Sequence, residues 1–369
     1  MKQPGIATAR FRLIASLWAL FVLPAIVSSQ SAGQGGSTQG TVVTGRPAIE
    51  RMEILIQGRG QMPRRIADWV MTVPAGNPIT DEKTALGRRL FFDKQLSLDR
   101  TVSCATCHDP ERAFADGRPV AIGLQGRTGR RNSPTLVNRG FGRLHFWDGR
   151  AATLEIQALG PIADEVEMAL PLDALLERLQ ADKSYGETFE KIFERPVAID
   201  DVGRALASYL RTIKSVDSPY DKFIDGAADA LSADAQAGLQ VFRARGRCAI
   251  CHREPTFTDE AFYNTGISWR PSEADPAGTF MDNGRFDVTS NPRDRGAFKV
   301  PTLREVARTA PYMHDGSLKT LREVVDFYDK GGRPNPSMIR LIQPLNLSEE
   351  EKRVLVVFLE SLSGVVSGK

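Results

Sequence analysis

Apolar residues recur at helical spacing along much of this chain, and strictly alternating runs are sparse. From Asp81 to Phe92, an acidic start followed by Leu86, Leu90 and Phe91 on one face predicts a helix. Leu206, Tyr209, Leu210 and Ile213 share a face of a second, Val202 to Ile213. Ser232, within Leu231-Ser232-Ala233-Asp234, caps a third that runs to Ala244. Leu321 to Tyr328 reads as amphipathic, and Ser348-Glu349-Glu350-Glu351 is a capping box ahead of an apolar helix from Val354 to Leu362. Glycine- and proline-rich stretches such as Pro271 to Arg295 predict long loops that would cradle a ligand. The expected fold class is all-α.

The start of the chain has another pattern. Lys2, Arg10 and Arg12 precede the apolar run Leu13 to Val27, and small polar residues follow. Residues 1–32 therefore predict a secretory signal peptide, too short for a convincing membrane span, with an uncleaved anchor as the alternative. Residues 33–48, rich in Gly, Ser, Thr and Gln, predict a flexible leader.

Chemistry enters with a repeated pentapeptide. Cys104-Ala105-Thr106-Cys107-His108 recurs as Cys248-Ala249-Ile250-Cys251-His252, using all four cysteines and two of the four histidines. In C-x-x-C-H both thiols bond covalently to one haem and the imidazole ligates its iron, so two haem c groups are expected, on His108 and His252. Zinc would need four ligands from one neighbourhood, and a disulfide or redox C-x-x-C would not need the histidine. Each half repeats one plan: helix, haem motif, loop-rich stretch, closing helix. This plan resembles a duplicated class I cytochrome c domain, with boundaries expected at 49–215 and 216–369.

Lys and Arg number 48 against 45 Asp and Glu. Loss of residues 1–32, which hold three bases and no acid, would leave the two equal. A neutral chain is a poor nucleic-acid partner. Covalent haem attachment of this kind is made outside the bacterial cytoplasmic membrane, so a periplasmic location is expected.

Three further strings carry a resemblance: Phe146-Trp147-Asp148-Gly149-Arg150-Ala151-Ala152-Thr153-Leu154-Glu155, Val300-Pro301-Thr302-Leu303-Arg304 and Ala310-Pro311-Tyr312-Met313-His314-Asp315-Gly316. They resemble the bacterial di-haem cytochrome c peroxidase family, which includes the protein-modifying oxidase MauG, from Asn77 to Leu362. The resemblance implies that Trp147 couples the two haems, where composition alone would make it a core residue. It implies that Gln157 positions peroxide and that Glu167 moves its protons, a task suited to a buried carboxyl. Asp164 and Glu165 read as solvated loop charges, and Pro161 as a wall of the same pocket. Leu124 stands where many relatives carry a ligating histidine, so the first haem is expected to be open without reductive activation. His145 reads as a structural hydrogen-bonding residue. Tyr328, fourteen residues after His314, stands where peroxidases of the family have a methionine ligand and MauG a tyrosine. It is the candidate distal ligand of the second haem, with Met313, Met281 and Met338 as alternatives. A calcium ion is implied at Asn132 and the carbonyls of Thr309 and Pro311, against a turn-capping role for Asn132. Gly246 replaces the surface tryptophan of MauG, beside Arg243, Arg245 and Arg247, which would receive an acidic partner or meet haem propionates.

The function expected is reduction of hydrogen peroxide to water with electrons from a small cytochrome c or cupredoxin. The alternatives are a MauG-like oxidase acting on side chains of a partner protein through a high-valent two-haem state, and a non-enzymatic electron carrier. The resemblance also implies a homodimer.

Overall fold

The computed structural model describes residues 71, 73–271 and 278–369. The expected signal peptide and leader lie outside the described residues. Within the described residues no helix is long and apolar enough to cross a membrane.

In chain order the main helices are α1 (Asp81–Phe92), α2 (Leu154–Ala163), α3 (Leu172–Ala181), α4 (Lys183–Phe193), α5 (Ile199–Leu210), α6 (Pro219–Ile224), α7 (Ala233–Arg243), α8 (Leu321–Asp329) and α9 (Glu349–Glu360). Their starts follow local chemistry. Thr80 accepts from Lys83 N at 3.2 Å to cap α1, Ser232 from Ala235 N at 3.1 Å to cap α7, and Ser348 and Glu351 close the capping box of α9. The helix expected from Val202 instead spans Ile199 to Leu210. Asp200 and Asp201 supply its acidic first turn, and the chain leaves it through Arg211 toward an extended segment.

Two apolar cores form. One gathers α1, α2, α3, α4 and α5 around Leu90, Phe114, Leu206 and Tyr209; the other gathers α6, α7, α8 and α9 around Phe242, Phe257, Leu355 and Phe358. The same device joins the central helices of each. A Cβ on Gly87 of α1 would lie 1.9 Å from the Ala205 carbonyl of α5, and one on Gly238 of α7 would lie 2.0 Å from the Val354 carbonyl of α9. Glycine lets each pair cross backbone to backbone.

Strands are minor, as the pattern predicts, but the loops hold three short antiparallel pairs: β1 (Ser215–Val216) with β6 (Val365–Val366), β2 (Phe262–Tyr263) with β5 (Phe298–Lys299), and β3 (Trp269–Arg270) with β4 (Thr279–Phe280). The first pair brings the C-terminal segment back so that Val366 packs into the first core. Part of the stretch from Pro271 to Arg295 is therefore ribbon rather than loop.

Candidate active site

Both pentapeptides form tight helical turns. His108 N donates to Cys104 O at 3.0 Å and His252 N to Cys248 O at 2.9 Å. Each turn then meets a phenylalanine with left-handed backbone, Phe114 (φ 59°) and Phe257 (φ 54°), both fully buried. That conformation is strained for a bulky residue and is held here by the core. It aims each carbonyl at an imidazole: His108 Nδ1 lies 3.0 Å from Phe114 O, and His252 Nδ1 lies 2.9 Å from Phe257 O. A carbonyl can only accept, so both rings are Nδ1–H tautomers with the Nε2 lone pair left for a metal. Burial pushes both imidazoles below their ordinary value, keeping them neutral as ligation requires.

A cavity of about 940 Å³ runs between the two turns, with Cys107, His108, Gln157, Pro161 and Glu167 on one wall and Cys248, Cys251, His252 and Tyr328 on another. Trp147, Asn132, Thr309 and Pro311 line it as well. Cys104 borders a small adjoining space that shares His108, Gln157 and Glu167. Burial pushes the thiols up, to about 12 for Cys104 and Cys248 and about 11 for Cys107 and Cys251. Such thiols are poor free nucleophiles and suit groups consumed in thioether bonds better than a redox pair. Among the described residues no three His, Cys, Asp or Glu side chains gather around one point to hold a metal ion. The donor set fits two haem c groups.

Glu167 follows α2, whose start is capped by Thr153. Asp164 Oδ1 accepts from Val166 N at 2.8 Å and Glu167 N at 3.2 Å, and Leu124 N donates to Glu167 O at 2.8 Å. The carboxyl is thus presented by a pinned backbone. Burial, reinforced by Asp164 and opposed by Arg150, pushes it up to about 7. Asp164 and Glu165 are exposed. Leu124 is fully buried and does not face the cavity; Ala121 lines the cavity and Gly123 the small adjoining space.

Trp147 sits at a seam. Its Nε1–H donates to Asn132 O at 2.9 Å, while its own carbonyl accepts from Lys299 N on β5 at 2.8 Å. Asn132 N in turn donates to His314 O at 2.7 Å, and its amide nitrogen lies 2.7 Å from Arg118 O and 3.5 Å from Pro311 O. Beside them Arg131 forks to Asp282 at 2.7 and 2.8 Å and reaches Asp148 at 2.6 Å.

The two halves repeat around these groups. Phe146-Trp147-Asp148-Gly149 and Met313-His314-Asp315-Gly316 share positive φ at Phe146 (66°) and Met313 (73°), and each leads through a capping threonine, Thr153 or Thr320, into α2 or α8. Counting along these helices from the caps pairs Pro161 with Tyr328. Proline offers iron no side-chain donor; tyrosine does. Of the methionine alternatives, Met313 lines the cavity, whereas Met281 is 67% exposed and the Met338 methyl lies against Gly332. Burial pushes the Tyr328 hydroxyl up, so the free phenol is protonated.

Sequence reasoning missed a buried charge cluster at the seam. Arg139 forks to Glu260 at 2.7 and 3.1 Å, and Lys299 lies 3.8 Å from the same carboxylate. Burial pushes Lys299 down to about 7, with Arg139 adding to the shift. Burial also drives His145 down to about 3, helped by Arg139 and Lys299, so this histidine is neutral at any working pH. One available signal was the recurrence of Pro134-Thr135-Leu136, which follows Asn132, as Pro301-Thr302-Leu303 after Lys299. Arg243 and Arg245 are already paired, with Glu254 at 2.9 Å and Glu351 at 2.7 Å, which leaves Arg247 at the cavity.

Helices presenting two C-x-x-C-H turns to one cavity, with an indole at the seam and a carboxyl titrating near neutrality, define a di-haem c-type oxidoreductase. Residues 81–229 match the family model described as di-haem cytochrome c peroxidase. The methylamine utilization protein MauG of Methylorubrum extorquens is 40% identical over 291 residues, 78% of this chain and 80% of that protein. Cytochrome-c peroxidase IdrP1 of a Pseudomonas strain is 37% identical over 317 residues, 79% and 83% of the two chains. A solved MauG-like protein associated with microbial copper homeostasis superposes with a TM-score of 0.75 at 35% identity, covering 82% of this chain and 95% of that one. The chain belongs to the di-haem cytochrome c peroxidase family and is an oxidoreductase.

Proposed function

We propose that the protein reduces hydrogen peroxide to water in the periplasm, drawing electrons singly from a small cytochrome c or cupredoxin. The observation that carries this reading is Glu167: a carboxyl raised to about 7, on the cavity wall that holds His108, near a helix position occupied by Pro161. When bound, the first haem would supply the iron that takes peroxide, and the second would pass electrons to it. His108 and His252 would hold the irons through Nε2, and Cys104, Cys107, Cys248 and Cys251 would carry the thioethers. Glu167 Oε accepts a proton from one peroxide oxygen and returns it to the other, easing O–O cleavage. Gln157 orients the peroxide by hydrogen bonding, and Pro161 keeps a protein ligand away. Trp147 provides the aromatic contact between the two sites. The test is peroxide-dependent oxidation of a reduced cytochrome c by the ferric holoprotein, whose spectrum should contain a high-spin component. A wholly low-spin ferric spectrum with no turnover would leave only an electron carrier.

In this reading the chain comprises two cytochrome c-like domains, 49–215 and 216–369, and Tyr328 would join His252 in holding the second iron. Iron, when bound, would stabilise the phenolate and release its proton to solvent, offsetting the burial that holds the free phenol neutral. Tyr328→Phe is expected to convert the second haem from low spin to high spin, as read by magnetic circular dichroism. A calcium ion held by Asn132 with the Thr309 and Pro311 carbonyls also belongs to the reading, supported by all three residues lining one cavity; the Asn132 amide, whose nitrogen donates to Arg118 O, would have to turn its oxygen toward the ion. Treatment with a calcium chelator is expected to lower turnover and melting temperature together, and added calcium to restore both.

A second reading, oxidation of side chains on a partner protein, is favoured by Tyr328 and by the likeness to MauG. Slow turnover with cytochrome c alongside a long-lived oxidised species would select it.

A further inference from the structure

We propose that Tyr263 and Asp259 form a redox-active pair through which an oxidising equivalent passes from the second haem to an electron-donating partner. The inference rests on the peroxide-driven reading above and adds the residue at which electrons enter.

Three tyrosines among the described residues line the cavity, and they differ in what their hydroxyls touch. Tyr312 donates to the Val306 carbonyl at 3.0 Å, which cannot take up a proton. Tyr328 bonds to Thr265 and occupies the candidate ligand position. Tyr263 donates to Asp259 Oδ2 at 2.9 Å, and a carboxylate can accept the proton outright. This matters because a phenol that loses an electron becomes a strong acid and must shed its proton in the same event.

The pair is also well placed. Tyr263 lies within electrostatic reach of Cys251, one attachment point of the second haem. It pairs with Phe298 in the β2–β5 ribbon, and the next residue of β5, Lys299, donates its N–H to the Trp147 carbonyl. One short ribbon therefore carries both the contact to the seam indole and the tyrosine. Asp259 is fixed in turn, its Oδ1 accepting from Ala261 N at 2.9 Å, and it is half-exposed, so its proton can return from solvent. Position 246 is glycine, and Trp269 is buried against Phe280 and Gly278, off the cavity wall.

The step balances as follows. Tyr263 gives one electron to the second haem site, oxidised beforehand by peroxide, and its hydroxyl proton to Asp259 Oδ2; the phenolic O–H bond breaks and a carboxylic O–H bond forms. One electron from the partner then reduces the phenoxyl, and the proton returns from Asp259.

Rapid-freeze EPR of peroxide-treated ferric holoprotein, with ring-deuterated tyrosine, tests the pair, and peroxide consumption is followed in the same samples. The wild type is expected to give a radical signal that narrows on deuteration. Tyr263→Phe should abolish it, and Asp259→Asn should slow its appearance by about 10²-fold, both with unchanged haem absorbance. A tyrosyl signal that survives Tyr263→Phe, or peroxide consumption by the wild type without any tyrosyl signal, would overturn the pair. A wild type that consumes no peroxide would instead remove the peroxidase reading, and the pair with it.

Discussion

Glu167→Gln is expected to lower kcat for peroxide reduction by about 10²–10⁴-fold while haem content and the ferric spectrum stay unchanged. Glutamine keeps the size and one acceptor of the side chain but cannot hold or release a proton in the working range. The pH dependence gives the sign. Burial and Asp164 raise the Glu167 carboxyl to about 7, so it is neutral below that pH and anionic above it. Only the anion can accept the peroxide proton. Wild-type kcat/KM should therefore rise as pH increases through about 7, and this limb should be missing from the variant. Stability should move the other way. A carboxyl whose folded pKa exceeds its unfolded value of 4.5 disfavours the fold increasingly from that pH up through 7. Glutamine removes the penalty, so the variant is expected to melt at a higher temperature than the wild type at pH 8 and to converge with it near pH 4. A variant that loses activity and stability together at pH 8 would mark Glu167 as a structural residue.

Arg131→Met is expected to cost about 3–5 kcal/mol of stability, because it strands the buried carboxylate of Asp282 and leaves Asp148 with Arg150, at 3.0 Å, as its remaining partner. Arg131 is 13% exposed, and its partners Asp148 and Asp282 are 7% and 8% exposed. Burial alone would raise Asp282, yet the guanidinium outweighs it and holds the carboxyl below its ordinary value. Stability from this pairing is present above the unfolded aspartate value of 3.8 and fades as pH falls further. Thermal melts at pH 7 and pH 3 check this: the gap between wild type and variant should be wide at the first and narrower at the second. A double variant that also changes Asp282 to Asn should recover much of the loss, since it removes the stranded carboxylate while Asp148 keeps Arg150. Because Arg131 precedes Asn132, whose carbonyl holds the Trp147 indole, the single variant should also slow electron delivery between the two sites.

The helices were legible wherever periodicity and a cap coincided. Asp81–Phe92 and the box at Ser348 lie where the sequence puts them, since a side chain three residues from the cap decides the start. α2 was not legible, for Pro161 breaks its helical pattern; its last turn is tolerated because the chain leaves at Asp164. α3 and α4 also went unread, although Tyr185 and Phe189 anchor α4 in the first core. In the site, the residues named for haem attachment, peroxide chemistry and calcium border the cavity or the small space beside it, whereas Leu124, Met281 and Met338 do not. The charged groups Arg139, Glu260 and Lys299 are ordinary surface types far apart in the chain, and only the recurrence of Pro-Thr-Leu after Lys299 marked one of them.

Sequence by itself determined what is chemically local: the four thiols and two imidazoles that attach haem, the caps, and the proline and tyrosine at matching places in α2 and α8. Tertiary structure alone decided the rest. The rise of Glu167 to about 7, the depression of Lys299 to about 7 and the tie from Arg131 to Asp282 depend on lost water and on charges brought from distant parts of the chain. Desolvation and long-range pairing are properties of the packed surroundings, and no window of neighbouring residues encodes them.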